Sequence, residues 1–504
     1  MNKKIIALSM VAAIATSGYA NDNSDMAAQL EMLKKQIATL EAKLNSNTKT
    51  ITKNAKTIKK TVKKVNVVKA HDAGDNIKWD VDFRTSVDKI NYKHADGSKS
   101  GNDALMTNRL LLGMKYQADD KVTFYGTLGY NKAYGDTANH SQSNTNPGYA
   151  DFDWVTNENA TDNSLKVKEA YWLYMNDTFF GTDVAWTASV GRRPSTGGLG
   201  INFREGDKRK SALSHTVNVE FDGASLKWNL DKVTPMTGSW FKLCMGRGLT
   251  NAKARFQNDG SSYASDENMH SDVDMIGFIF VPYDDGQYSV HTNYAKAVNL
   301  IGFTNTELAK GNPASPTYGQ KMVFQDTGDI TLATAMLKVD GIGNEINDFL
   351  DDTTFFASYA QSETSPNATS KAGQGGMLGS NDSETGNSVW LGVQMPCLLT
   401  DDGRLGIEWN KGSKYWRSFT YAEDTMSGSK IATRGTAWEI YWQKPLTKAL
   451  SMDVRYTMID YDYTGSQAFF GADGTPMTMA QAQAQGQNPV KESTDLRIAM
   501  RYRF

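Results

Sequence analysis

Only two cysteines, Cys244 and Cys397, occur in the 504 residues. They lie far apart, without CxxC or Cys/His metal spacing. Sequence does not decide whether their Cα atoms come within bridging distance, and both read as small wall residues. Histidine is also scarce: His71, His94, His140, His215, His270 and His291 are all there is. None sits in a nucleophile elbow or a metalloprotease motif, and a Gly-rich phosphate loop is absent. No enzymatic activity, cofactor or metal is therefore expected. His291, with Ser289 and Asn293 at alternate positions, reads as a hydrogen-bonding residue on a polar face. The net charge of −2 implies no bulk attraction to nucleic acid. Beyond the N-terminus there is no long apolar run, so the mature chain offers no transmembrane helix.

What is present begins with a secretory signal over residues 1–20. Lys3 and Lys4 precede an apolar stretch from Ile5 to Ala15, and Gly18-Tyr19-Ala20 gives a small-x-small cleavage site. Residues 21–70 follow as a coiled-coil helix. Apolar residues step by four and three through Leu30, Leu33, Ile37, Leu40 and Leu44, and the register continues through Asn47, Ile51, Asn54 and Ile58. Such a seam needs a partner, most simply further copies of the chain, and a homotrimer is expected. A single amphipathic helix lying on a barrel mouth is the alternative. Residues 71–76 read as a linker.

From residue 77 onward, strand-like alternation recurs to the end. At the C-terminus Leu496, Ile498, Met500, Tyr502 and Phe504 share one face, and Arg497, Arg501 and Arg503 the other. Trp79, Val81, Phe83 and Val87 alternate likewise with Asp80, Asp82, Arg84 and Asp88. Tight turns and long polar loops alternate between such segments. This predicts an all-β fold, a transmembrane antiparallel up-and-down barrel over residues 77–504. About sixteen strands are expected if Thr216–Leu230 is one strand, or about eighteen if Asp222-Gly223 is a hairpin turn and a further strand is present. A barrel of that size leaves an aqueous lumen. Lipid-facing and lumen-facing residues average out in hydropathy, so the modest apolar content is no objection.

Arg84, Arg109, Arg455, Arg497, Arg501, Asp80 and Asp82 occupy polar faces and are expected to line the lumen. After the fifth strand, Arg192, Arg193, Arg204, Lys208, Arg209 and Lys210 oppose only Glu205 and Asp207. Folded into the channel, these six cations would form a constriction favouring anions; as an outer loop, they would meet lipopolysaccharide phosphates.

The terminal strand ending on Tyr502 and Phe504 resembles the closing strand of bacterial outer-membrane barrels, which implies recognition by the barrel assembly machinery. Blocks such as Phe152-Asp153-Trp154-Val155, Val190-Gly191-Arg192-Arg193-Pro194-Ser195 and Cys244-Met245-Gly246-Arg247-Gly248-Leu249 add a broader likeness. Together they resemble a domain-of-unknown-function family of porin-like outer-membrane proteins from Campylobacterota. The resemblance implies a barrel in the outer membrane of a Gram-negative bacterium, with the coil in the periplasm, and carries no substrate and no site. The expected function is a porin passing small hydrophilic solutes with a mild anion bias. The alternative is a structural anchor that tethers the envelope to peptidoglycan through the coil. Expected partners are outer-membrane lipid and lipopolysaccharide, with no nucleic acid.

Overall fold

The computed structural model describes residues 31–44, 77–117, 119–134, 165–210, 213–250, 272–303, 324–343, 346–373, 376–420, 423, 425–466 and 475–504. The secretory signal, the linker and the coil positions Leu30, Asn47, Ile51, Asn54 and Ile58 lie outside them. Residues 31–44 form helix α1. Its Leu33, Ile37, Leu40 and Leu44 are all exposed. Their four-three-four spacing puts them on one face, an exposed apolar stripe.

Residues Ile77–Phe504 form a separate compact unit. Its strands are β1 (Ile77–His94), β2 (Lys99–Gln117), β3 (Val122–Ala133), β4 (Leu165–Asn176), β5 (Trp186–Arg193) and β6 (Phe221–Asn229). β7 (Trp240–Leu249), β8 (Val273–Asp284), β9 (Tyr288–Phe303), β10 (Phe324–Asp340) and β11 (Thr354–Pro366) follow. β12 (Thr385–Pro396), β13 (Arg404–Gly412), β14 (Gly435–Pro445), β15 (Leu450–Tyr461) and β16 (Val490–Arg503) complete the set. Each pairs antiparallel with its sequence neighbours, and β16 returns to β1, closing a barrel of sixteen strands. The final residue takes part in the closure: Phe504 and Val81 exchange backbone hydrogen bonds of 3.0 and 2.9 Å.

Asp222-Gly223 does not turn the chain. It runs inside β6, where Gly223 lies between Gly191 of β5 and Gly246 of β7. A Cβ on Gly223 would overlap the Met245 carbonyl, so this glycine serves close strand approach rather than reversal. The strand is shorter than expected, because residues 216–220 belong to the connection before it. Cys244 and Cys397 are both free thiols. Cys244 is in β7, but Cys397 lies in the turn after β12 rather than in the wall.

One parity of the wall is apolar and exposed. Phe83, Phe124, Trp172, Val190, Met245, Ile276, Leu337, Tyr359, Leu391, Trp438, Tyr456 and Ile498 all belong to it. Trp228, Phe241, Phe278 and Tyr294 extend it as a row of stacked rings across β6–β9, with centroids 5.5–6.2 Å apart. A band this continuous marks a surface that contacts something apolar.

The opposite parity faces inward and divides into two kinds of wall. On β8–β12 it is apolar: Val273, Met275, Ile279, Ala297, Ile330, Leu332, Met336, Phe356 and Trp390 are buried. On β1, β2, β4, β15 and β16 it is ionic. The apolar wall is covered by the connection from β5 to β6, residues 194–220, which turns into the barrel. Leu199, Ile201 and Leu213 from this connection join Met336, Phe356 and Trp390 in one hydrophobic cluster. Gly200, at φ 105, lies against the Trp390 ring, where a Cβ would overlap the ring carbons. Gly200→Ala is therefore expected to lower stability by about 1–3 kcal/mol in urea unfolding followed by fluorescence. Trp390→Phe, which removes the overlapped atoms, should recover part of that loss in the double variant.

Candidate functional site

Residues 194–220 cross the lumen as an irregular strap with one short helix, α2 (Ile201–Glu205), ended by Gly206 in the left-handed conformation. Phe203 stacks on Phe356 at 5.6 Å. His215 is wholly buried and bridges Ser358 and Ser388 at 2.8 and 2.9 Å. Burial pushes its pKa down to about 3, so the imidazole is neutral at pH 7. Thr216 meets Asn293 and Thr334. These polar contacts supply partners for groups that would otherwise be stranded in the apolar wall.

A second strap, from β13 to β14 and spanning residues 413–434, also folds inward. Trp416, Phe419, Lys430 and Arg434 are among the most deeply buried side chains. The straps pair with each other: Asn218 N–H donates to the Phe419 carbonyl at 2.7 Å, and Phe419 N–H to that of Thr216 at 2.9 Å.

Where the straps meet the β13–β14 wall lies a buried ionic cluster. Arg204 Nη1 reaches Glu423 of the second strap at 2.8 Å and Glu439 of β14 at 3.3 Å. Lys430 reaches Glu408 of β13 at 2.6 Å and Glu439 at 2.5 Å. Burial opposes the charge on Arg204, but the carboxylates of Glu439, Glu423 and Glu205 outweigh it and hold the guanidinium well above its ordinary pKa. The cluster ties both straps to one wall.

The ionic wall clamps the first strap from the other side. Glu205 accepts from Arg455 at 2.9 Å, while Asp207 takes Arg501 at 3.0 Å and Arg503 at 2.8 Å. Arg501 also binds Asp82, which pairs with Arg109 at 3.2 Å; Arg497 pairs with Asp88 at 2.6 Å. Arg84 is buried on the same face of β1, and Asp80 is exposed near the start of that strand. On β4 the register with β3 skips Lys168. This bulge lets both Lys168 and Glu169 point inward. Lys168 then binds Glu220 at 2.7 Å, and Glu169 binds Lys210 at 3.1 Å.

The strap enters the barrel, but the six cations expected to converge there do not form one cluster; only Arg193 and Arg209 approach the same stretch of wall. Arg192 shares the outer parity of Val190 and lies 3.8 Å from exposed Asp222. The alternation of a strand prevents it from joining its neighbour Arg193, which turns inward to Ser189 at 2.7 Å. Arg204 is consumed by the ionic cluster, Lys210 by Glu169, and Lys208 is exposed. Arg209 donates to His291 at 3.1 Å. Sequence reasoning missed the second strap, with Glu423 and Lys430, whose polar composition looks like any solvated loop. It also missed the apolar inner wall, for which a signal existed. Val273–Val281 and Ile330–Val339 carry apolar residues at both parities, the pattern of strands covered on both faces. Among the described residues there is no metal-binding cluster, and neither His215 nor His291 has a carboxylate partner.

Residues 99–504 match the family described as Protein of unknown function (DUF3373). The chain belongs to that family. No curated protein matches the sequence. Among solved structures it is similar to OprB of Pseudomonas putida, at 12% identity and a TM-score of 0.46, covering 86% of this chain and 96% of that one. An anion-selective porin from Comamonas acidovorans is similar at 11% identity and a TM-score of 0.45, covering 85% and 99%. OmpF of Salmonella typhi, in complex with daunomycin, is similar at 12% identity and a TM-score of 0.44, covering 86% and 99%. The barrel described for this DUF3373 member stands on its own strand pairing.

Two tests follow from the strap contacts. Arg204→Met leaves Glu423 and Glu439 buried with less counter-charge. It is expected to cost about 3–5 kcal/mol in urea unfolding and to open residues 194–220 to limited proteolysis. His215 is neutral when folded and takes up a proton near pH 6.5 when unfolded. Its contribution is complete above pH 6.5 and falls as the pH drops towards 3. His215→Gln should flatten the pH dependence of unfolding over that interval relative to the parent chain.

Proposed function

We propose that this DUF3373 protein is an outer-membrane channel through which small hydrophilic solutes diffuse passively, with a preference for anions. The observation that carries the reading is the closed sixteen-strand cylinder with an apolar outer parity and charged groups on the inner one. Hydrocarbon offers no hydrogen bonds, so a spanning sheet must close, and only a wet interior makes use of inward Arg, Lys, Asp and Glu. The short-turn end, carrying both termini of the barrel, would face the periplasm, and the long loops the exterior. The straps pack on the β8–β14 side and are tied across to β4, β15 and β16, so the aqueous route is the part of the lumen left beside them. It is narrower than an unobstructed sixteen-strand lumen.

The heptad-spaced, exposed apolar residues of α1 support a second element of the reading: association of three chains through periplasmic coils. Binding of the coil to peptidoglycan would add a tether to the channel. In planar bilayers the purified mature protein should give stepwise conductance with an anion-selective reversal potential. Deleting residues 25–68 should leave that conductance in place, and replacing residues 413–434 with a short Gly-Ser linker should raise it. A silent membrane at high protein concentration would remove the channel reading and leave the anchor.

A further inference from the structure

Most inward cations in this barrel have a carboxylate within ion-pair distance, as Arg109, Lys168, Arg204, Lys430, Arg497 and Arg501 do. One group breaks the pattern. Arg193 of β5, Lys227 of β6, Lys242 of β7 and Arg209 of the first strap converge on one stretch of lumen. None of the four forms an ion pair with a described residue. Arg193 donates to the Ser189 hydroxyl and, at 3.3 Å, to the Ala224 carbonyl; Arg209 meets the His291 ring. Lys227 and Arg209 both sit over the Trp240 ring, 4.4 and 5.3 Å from its centroid. Lys242 stands opposite Lys227, within the field of Arg193 and Arg209 as well.

The placement is dictated by the wall. Register sets Lys227 directly opposite Lys242, a like-charge pair that a sheet ordinarily avoids. Trp240 lies two residues from Lys242 and so on the same inner face, where its ring meets both the Lys227 ammonium and the Arg209 guanidinium. Asp284 acts on Arg209 with opposite sign. Arg209, Lys227, Trp240 and Lys242 are half-buried, whereas Arg193 is buried, so the cluster is only partly withdrawn from solvent. A cavity adjoins it between Arg193, Cys244 and Met275. Four cations in a partly desolvated space repel one another unless a counter-charge joins them.

We propose that Arg193, Arg209, Lys227 and Lys242 form a lumenal binding site for a small, multiply charged oxyanion of the phosphate class. Two planar guanidinium forks and two ammonium groups offer more donors than a halide uses, and a dianion neutralises more of the cluster. Arrival of the anion rests on the channel reading; its binding does not.

The test uses the full chain refolded in detergent and inorganic phosphate as the probe. Calorimetric titration at low chloride should show saturable binding, accompanied by a fluorescence change that Trp240→Phe abolishes. The double variant K227Q/K242Q should bind phosphate at least tenfold more weakly. If that variant does not fold, judged by heat-modifiable gel migration, Arg209→Gln on the strap replaces it with the same expectation. In bilayers, phosphate should reduce the chloride current of the parent chain and not that of the variant. Flat calorimetry, or equal binding by parent and variant, overturns the site. A protein that conducts but takes up no phosphate keeps the channel and loses the site. One that binds phosphate but carries no current keeps the site and loses the channel.

Discussion

Backbone closure between the first and last strands is the constraint from which the rest follows. The pairing of β1 with β16, carried to Val81 and Phe504, leaves no row of unpaired N–H and C=O groups around the cylinder. Only such a sheet can sit in hydrocarbon without stranding hydrogen-bonding groups. Once closed, every strand has one outward and one inward parity, and the two meet different demands. The outward parity is largely apolar, which leaves most variation to the inside.

Inside, the chain solves two problems with two straps. The apolar wall of β8–β12 would be costly to leave wet, and residues 194–220 and 413–434 cover it with Leu199, Leu213, Trp416 and Phe419. The straps bring backbone and charge into the barrel, and these in turn need partners. Arg204, Lys430, Glu408, Glu423 and Glu439 satisfy one another where straps and wall meet. Buried pairs of this sort add little net stability compared with apolar packing. Loss of one member is expensive, however, because the other is left uncompensated. The network therefore specifies where the straps lie more than it strengthens the barrel.

The same logic gives the interior its asymmetry. Charge is matched on the side of β13–β16 and β1, where Asp82, Asp88, Glu205 and Asp207 face arginines. It is unmatched around Trp240, where cations from three adjacent strands and one strap meet. A passage beside the straps would run from a neutralised surface to a cationic one. In the channel reading, that gradient, rather than a ring of six arginines and lysines, sets the preference for anions.

Alternation along single strands was enough to read a closed barrel of about sixteen strands, with eighteen as the alternative. That information is local, since side chains two apart share a face whatever the rest of the chain does. Whether Asp222-Gly223 turns the chain or runs straight was left open by the sequence, and pairing of β6 with β5 and β7 decided it. The second strap was not legible, because burial of Glu423, Lys430 and Trp416 depends on what lies across the lumen. Nor was the bulge that turns both Lys168 and Glu169 inward; the separation of Arg192 from Arg193, by contrast, is plain alternation within β5 that the expectation of one constriction passed over. Sequence by itself determined which residues could face lipid and which could not. Only tertiary structure decided which inward charges find partners, because ion pairing depends on distances of a few ångströms between strands remote in the chain.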